Sequence, residues 1–148
     1  MTHRRAMPST ILVTFQFASF VGVLLLGPTF PSARLAQAMV AAALALGTWS
    51  ILAVGRRSFR VLPEPKAGAT LIETGPYRRI RHPMYAALLL AAAGFVLDSP
   101  GGGRITAAIL LTATLGSKVH REERALLARY PDYAAYRART HRIVPGLF

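Results

Sequence analysis

The chain has 148 residues, 53% of them hydrophobic and 16% charged, and its mean hydropathy is +0.37. So apolar a chain cannot stay disordered, and the absence of cysteine excludes a disulfide scaffold, thiolate metal sites and a cysteine nucleophile. A net charge of +12 on this background points to a membrane protein with its charges in loops; a nucleic-acid binder would share the charge without needing the apolar bulk.

Four apolar stretches follow one another. Residues 11–30 are interrupted by Gln16 and Pro28, and residues 35–54 carry no charge. Each is about 20 residues long, enough to cross a hydrocarbon core of roughly 30 Å at about 1.5 Å per residue. Residues 84–97 and 105–119 are shorter, with Lys118 near the end of the second, and Asp98-Ser-Pro-Gly-Gly-Gly103 between them is a strong turn signal. This pair reads as a helical hairpin that crosses with help from flanking polar residues or local thinning of the bilayer. Two other readings fit single features. Residues 11–30 could be a cleaved signal with His3, Arg4 and Arg5 as its basic region, although the apolar run is long for one. The hairpin could be a buried helix pair of a soluble protein, although so short a soluble chain could hardly cover four apolar helices.

Charge decides the orientation. With four crossings and a cytoplasmic N-terminus, sixteen of the eighteen Lys and Arg residues lie inside and only Arg34 and Arg104 outside, a large positive-inside bias. The expected fold is an all-α integral membrane protein forming one domain over 1–148. It has about four transmembrane helices, the last two a short hairpin, with a cytosolic loop over 55–83 and a cytosolic amphipathic helical cap over 120–148. Both termini are cytoplasmic. The preference for Arg over Lys suggests a GC-rich bacterial genome, and so the inner membrane. Pro63, Pro65 and Gly68 predict an irregular first half for the 55–83 loop. No alternating strand pattern, internal repeat, aromatic-rich basic motif or phosphate-binding glycine pattern is evident.

Two polar clusters fall at membrane edges: Gly75-Pro-Tyr-Arg-Arg-Ile-Arg-His-Pro-Met-Tyr85, and His120-Arg-Glu-Glu-Arg124 followed by Tyr130, Tyr133, Tyr136 and Arg137. The hairpin returns the chain to the face it left, so the two can meet. Pro83 suits the first turn of the third span and pushes His82 out of helical geometry. The imidazole can then turn toward a helix N-terminus, whose unsatisfied N–H groups suit a ligand carboxylate. Glu122 and Glu123 are adjacent, hence about 100° apart on a helix. One can face a site while the other pairs with a base such as Lys118 or Arg81, since a carboxylate near the membrane needs a cationic partner. The plainer readings are an interfacial Arg-Tyr anchor for the first cluster and a solvated charged face for the second. One His–Glu pair at His120 makes no metal site, and none is expected.

Taken together, Gly75-Pro-Tyr-x-x-x-Arg-His-Pro-x-Tyr85, the short apolar hairpin, Glu122-Glu123, Tyr133-x-x-Tyr136 and Pro145 resemble the isoprenylcysteine carboxyl methyltransferase family, whose wider kin include the phospholipid N-methyltransferases. The resemblance covers residues 73–148, and the order and spacing of its parts make it specific. It implies an integral-membrane methyltransferase using S-adenosyl-L-methionine, with the cofactor site at the cytosolic face. Carried over, Arg81, His82, Pro83, Tyr85, Glu122, Glu123, Tyr133 and Tyr136 would bind the cofactor. His82 would meet its methionine carboxylate and one Glu its ammonium, while the two later tyrosines would line or support a lid. Arg137 or Arg139 would supply a closing or substrate-side charge in catalysis. Tyr130-Pro131 departs from the Phe-Gly that such sequences often have there, and there are fewer spans than in many relatives. The expected partners are membrane lipids and a lipophilic acceptor, methylated on a carboxylate or thiol or, alternatively, on a phospholipid amine; no nucleic acid is expected. A non-catalytic protein binding anionic lipid through its basic loops is the competing class, and the Glu122–Glu123 pair, which would weaken lipid-headgroup binding, is what separates the two.

Overall fold

The computed structural model describes residues 8–58 and 71–146, with only the backbone described at 56–58. Arg4, Arg5, Arg60, Lys66 and the prolines and glycine of the loop's first half lie outside the described residues. Five α-helices carry the fold: α1 (Ser9–Leu25), α2 (Arg34–Ser58), α3 (Pro83–Asp98), α4 (Gly102–Arg129) and α5 (Tyr133–Ala138), with a 3-10 turn at Gly75–Arg78. Among the described residues there is no strand, only one isolated parallel bridge between Ile80 and His141.

Helix boundaries correct the sequence reading in two places. The first stretch ends early: α1 stops at Leu25 because Gly27 and Pro28 cannot extend it, leaving 17 residues, about 26 Å at 1.5 Å per residue. The fourth does not stop at residue 119. α4 continues through both glutamates to Arg129, making 28 residues or about 42 Å. Charged residues exclude a helix from hydrocarbon but do not end it, and nothing between Lys118 and Arg129 breaks the pattern until Tyr130 turns extended before Pro131. The expected helical cap is therefore mostly the end of α4, and α5 has only 6 residues. α2 kinks at Gly55, where φ is 68°.

α2 lies along α3 and α1 along α4, with slighter contacts between α3 and each of α1 and α4. Val23, Ala92, Phe95, Leu111 and Leu115 form the buried core. At one end of the bundle Asp98 accepts hydrogen bonds from the Ser32 and Ala33 amides at 2.8 Å and from the Ser32 hydroxyl, tying the start of α2 to the end of α3. Beside it Arg104, read from sequence as an outer-loop charge, is fully buried in the first turn of α4. It donates to the carbonyls of Phe95 at 3.1 Å and Pro28 at 2.8 Å and lies over the Phe95 ring. Gly27 makes room for it: a Cβ there would come within 2.5 Å of the guanidinium carbon.

The helix surfaces are apolar. Arg34–Gly55 is the one described helical segment both long and apolar enough to cross a membrane, with a mean hydropathy of 1.9 and only 11% of its most apolar window buried, unlike the core helix of a soluble protein. Leu44, Trp49 and Leu52 on α2, Phe15 and Phe17 on α1 and Ile109 on α4 all face outward.

Candidate active site

His82 ends the irregular segment before α3 with φ −123° and ψ 59°, and Pro83 opens the helix. The restriction that proline places on its predecessor is what aims the imidazole at α4. The ring stacks on Tyr85 with centroids 5.6 Å apart and planes within 2°. The two sequence clusters therefore meet. Tyr85 Oη donates to Glu122 Oε1 at 2.5 Å, and His82 Nδ1 is 3.3 Å from Glu122 Oε2.

Glu123 points elsewhere, as two neighbours on a helix must. Arg81 Nε donates to its Oε1 at 2.9 Å and Arg142 Nη2 to its Oε2 at 3.1 Å, while His82 Nε2 lies 3.6 Å away. Of the two bases that its position suggested, Arg81 is the partner. Burial alone would raise the Glu123 pKa, but the nearby His82 ring and hydrogen bonds from Arg142 and Arg81 outweigh it and hold the carboxyl far below the usual range. At His82 burial disfavours the charged ring, but the two glutamate carboxylates beside it more than offset this and raise the pKa. The cluster is an imidazole ring between two carboxylates, one of them paired with two arginines.

The chain after α5 clasps this cluster. His141 N donates to the Arg79 carbonyl at 2.8 Å, Arg81 N to the His141 carbonyl at 2.8 Å and His82 N to the Arg142 carbonyl at 3.0 Å. Arg81 Nη1 also donates to the Arg137 carbonyl at 3.0 Å and to the Thr140 carbonyl. Tyr136 Oη donates to the Tyr77 carbonyl at 2.7 Å. Burial, then the charge of Glu73, pushes the Tyr136 pKa up to about 12, and burial likewise raises those of Tyr77 and Tyr133. Gly75, at φ 58°, lets the 3-10 turn approach α2: a Cβ there would come within 2.9 Å of Ala53 Cβ.

Arg81, His82, Pro83, Tyr85, Glu122, Glu123, Tyr133 and Tyr136 all lie in this cluster or in its immediate support. Arg137 contributes its carbonyl. Arg139 is at the exposed edge, where its guanidinium pairs with Glu73 and lies over the Tyr136 ring. Sequence reasoning missed Arg142 and Thr140, whose contacts depend on a backbone pairing some sixty residues distant in sequence. It also gave no role to Tyr77, although Tyr77 belongs to the same motif.

Three buried polar atoms around the cluster have no hydrogen-bond partner among the described residues: His82 Nε2, Tyr77 Oη and Tyr133 Oη. Such atoms are costly unless something fills their need. No group of three His, Asp or Glu side chains placed to hold a metal ion occurs among the described residues. Tyr85 also lines an apolar groove of about 590 Å³ between α1, α2 and α3, within the size range of small-molecule sites.

Part of the chain, 66% of its length, aligns at 29% identity over 106 residues with the cobalt-zinc-cadmium resistance protein CzcN of Cupriavidus metallidurans, covering 46% of that protein. The chain thus spans about half the length of the curated relative it matches. The phospholipid methyltransferase family model matches residues 31–132, from just before α2 to just after α4, and so includes the His82–Tyr85 and Glu122–Glu123 segments. With that match over more than half of its length, the chain belongs to the phospholipid methyltransferase family, whose members are membrane-associated methyltransferases.

Proposed function

We propose that this protein is an S-adenosyl-L-methionine-dependent methyltransferase held in the bacterial inner membrane by four spans, with both termini cytoplasmic, and that it methylates a carboxylate or thiol of a lipophilic acceptor. The observation that carries the reading is the His82–Tyr85–Glu122 contact at the end of an apolar groove. The outward-facing apolar side chains of α1, α2 and α4 support membrane insertion, and the positive-inside split of charge supports the orientation.

The donor set fits the methionine end of the cofactor. Glu122, which is not paired with arginine in the contacts above, suits an ammonium. His82 Nε2, Tyr77 Oη and Tyr133 Oη are donors suited to a carboxylate. Glu123 is already neutralised by Arg81 and Arg142, and so acts as the anchor of the clasp. When bound, the cofactor supplies an electrophilic methyl group on a sulfonium. Tyr85 fixes the Glu122 carboxylate from one side and His82 from the other, so neither reorganises during transfer. A carboxylate or thiolate acceptor needs no general base, which leaves His82 a binding role. A phospholipid amine is the second reading, favoured by the description of the matched family; it would have to shed a proton first.

The test uses purified protein, methyl-labelled S-adenosylmethionine and an extract of native membranes. Label should enter the lipophilic fraction. Mild alkali should release it as methanol from an ester, while a thioether or an N-methyl group would keep it, and mass spectrometry of the product separates those two. Failure to bind the cofactor in calorimetry would overturn the assignment.

A further inference from the structure

The groove beside Tyr85 owes its shape to one stripe of α3. Met84, Tyr85, Ala87, Leu88, Ala91 and Phe95 follow the three- and four-residue spacing of a helix face, and all line it. The stripe is bulky at its ends and small between them. Ala87 and Ala91 leave the depth. Gly47 of α2, which also lines the groove, faces Ala87: a Cβ there would lie 3.6 Å from Ala87 Cβ. The Tyr85 and Phe95 rings mark the limits of the groove along α3. Ten residues of helix separate them, about 15 Å at 1.5 Å per residue.

The two ends differ. The Tyr85 end is polar. There Lys118 Nζ of α4 donates to Gln16 Oε1 of α1 and lies 5.2 Å from the centroid of the Tyr85 ring, whose hydroxyl holds Glu122. A chain lying in the groove with its head group at this end would present that head group beside the proposed methyl-donor site. The Phe95 end is blunt. Its ring, 5% exposed, belongs to the buried core with Val23 of α1 and Ala92. Arg104, 0% exposed, lies over the ring and donates to the carbonyls of Phe95 and Pro28, so it fastens the end of α3 to the chain leaving α1. Such a side chain resists displacement, since moving it aside would strand two carbonyls and a guanidinium in apolar surroundings.

We propose that this groove measures the hydrocarbon tail of the acceptor: Phe95, braced by Arg104, is its end stop, and the small side chain of Ala91 keeps the last turn before it open. The proposal rests on the methyltransferase reading for naming the occupant as the acceptor, but not for its test. With carbon–carbon bonds of about 1.5 Å, an extended chain of about twelve carbons fills the distance from Tyr85 to Phe95. A longer tail must buckle or press on the ring. Each methylene that finds no apolar place in the groove weakens binding about fourfold relative to one that does. The acceptor class is therefore a lipophile with a straight tail of medium length.

The experiment uses the purified full chain in a steroid-based detergent, whose rigid rings carry no alkyl tail to occupy the groove. Tritiated straight-chain alcohols from octanol to octadecanol are equilibrated by dialysis between protein-loaded and empty micelles, and the excess on the protein side is the bound fraction. For wild type the excess should hold steady up to about twelve carbons and fall by up to about fourfold for each further methylene. Ala91→Phe places a ring four residues nearer the mouth and should bring the fall to chains about five carbons shorter. Phe95→Ala should move it to longer chains. A wild-type excess with no fall across the series, or no excess at any length, would overturn the proposal whether or not either variant folds. So would an unmoved fall in a folded Ala91→Phe protein. A fall that moves with Ala91→Phe in a protein that binds no S-adenosylmethionine would keep the end stop and remove the methyltransferase reading. S-adenosylmethionine binding with no fall in wild type would do the reverse.

Discussion

Glu123→Ala is expected to cost about 3–5 kcal/mol of stability, the range for breaking a buried ion pair from one side, with the melting temperature in detergent falling on the order of 10 °C. The carboxylate takes hydrogen bonds from both Arg81 and Arg142, and Arg81 is itself buried. Removing it strands those guanidiniums and the raised-pKa His82 together. The loss should be largest where the clasp forms, so the segment after α5 should exchange its amide hydrogens faster while α1 and the apolar part of α4 do not. The pH dependence has a definite sign. Glu123 titrates below the ordinary carboxylate range, so its contribution is complete above that range and fades as pH falls toward the lowered value. His82 acts in the opposite sense: its contribution is complete below the ordinary imidazole pKa and fades as pH rises through the raised one. Wild type should therefore be most stable at mildly acidic pH, and Glu123→Ala should flatten both flanks. A melting temperature within a degree or two of wild type would show that Glu123 is not the anchor.

Glu122→Gln should separate binding from folding. Gln keeps an oxygen to accept from Tyr85 and fills the same volume, so the protein should melt near wild type. Cofactor affinity should fall about tenfold to a hundredfold, the range for losing a charged hydrogen-bond partner. Calorimetric titration with S-adenosylmethionine reads this directly. Unchanged affinity in a folded variant would move the ammonium site away from Glu122.

The contrast between two adjacent glutamates was half visible in the sequence. Their angular separation on a helix meant that only one could face a base, and Arg81 was among the bases named. Choosing Glu123 required Arg142, which arrives through a parallel backbone bridge with no local signature. The meeting of His82, Tyr85 and the Glu pair was legible because proline geometry, a turn-forming linker and helical periodicity are all local rules. Lys118 and Gln16 could not be joined in the same way, since 102 residues separate them and neither belongs to a motif. Arg104 was miscounted for a related reason. Charge placement assumes that a basic residue beside a glycine-rich turn is solvated, yet the space left by Gly27 and two spare carbonyls accommodates it inside. The end of α4 was misjudged because leaving hydrocarbon is not a reason for a helix to stop.

α1 and α2 follow one another in the chain but pack on different partners and scarcely touch. The bundle is thus two antiparallel pairs, α1 with α4 and α2 with α3, and the groove is the seam between them. On the proposed reading, a lipophilic acceptor would enter sideways by a small parting of the pairs, while the methyl donor would arrive over the clasped end. With two separate doors, neither ligand obstructs the other, so the order of addition should be random. Initial-rate lines should intersect, and a dead-end analogue of either ligand should compete only with its own counterpart. A compulsory order would mean that the seam opens only once the clasped end is occupied.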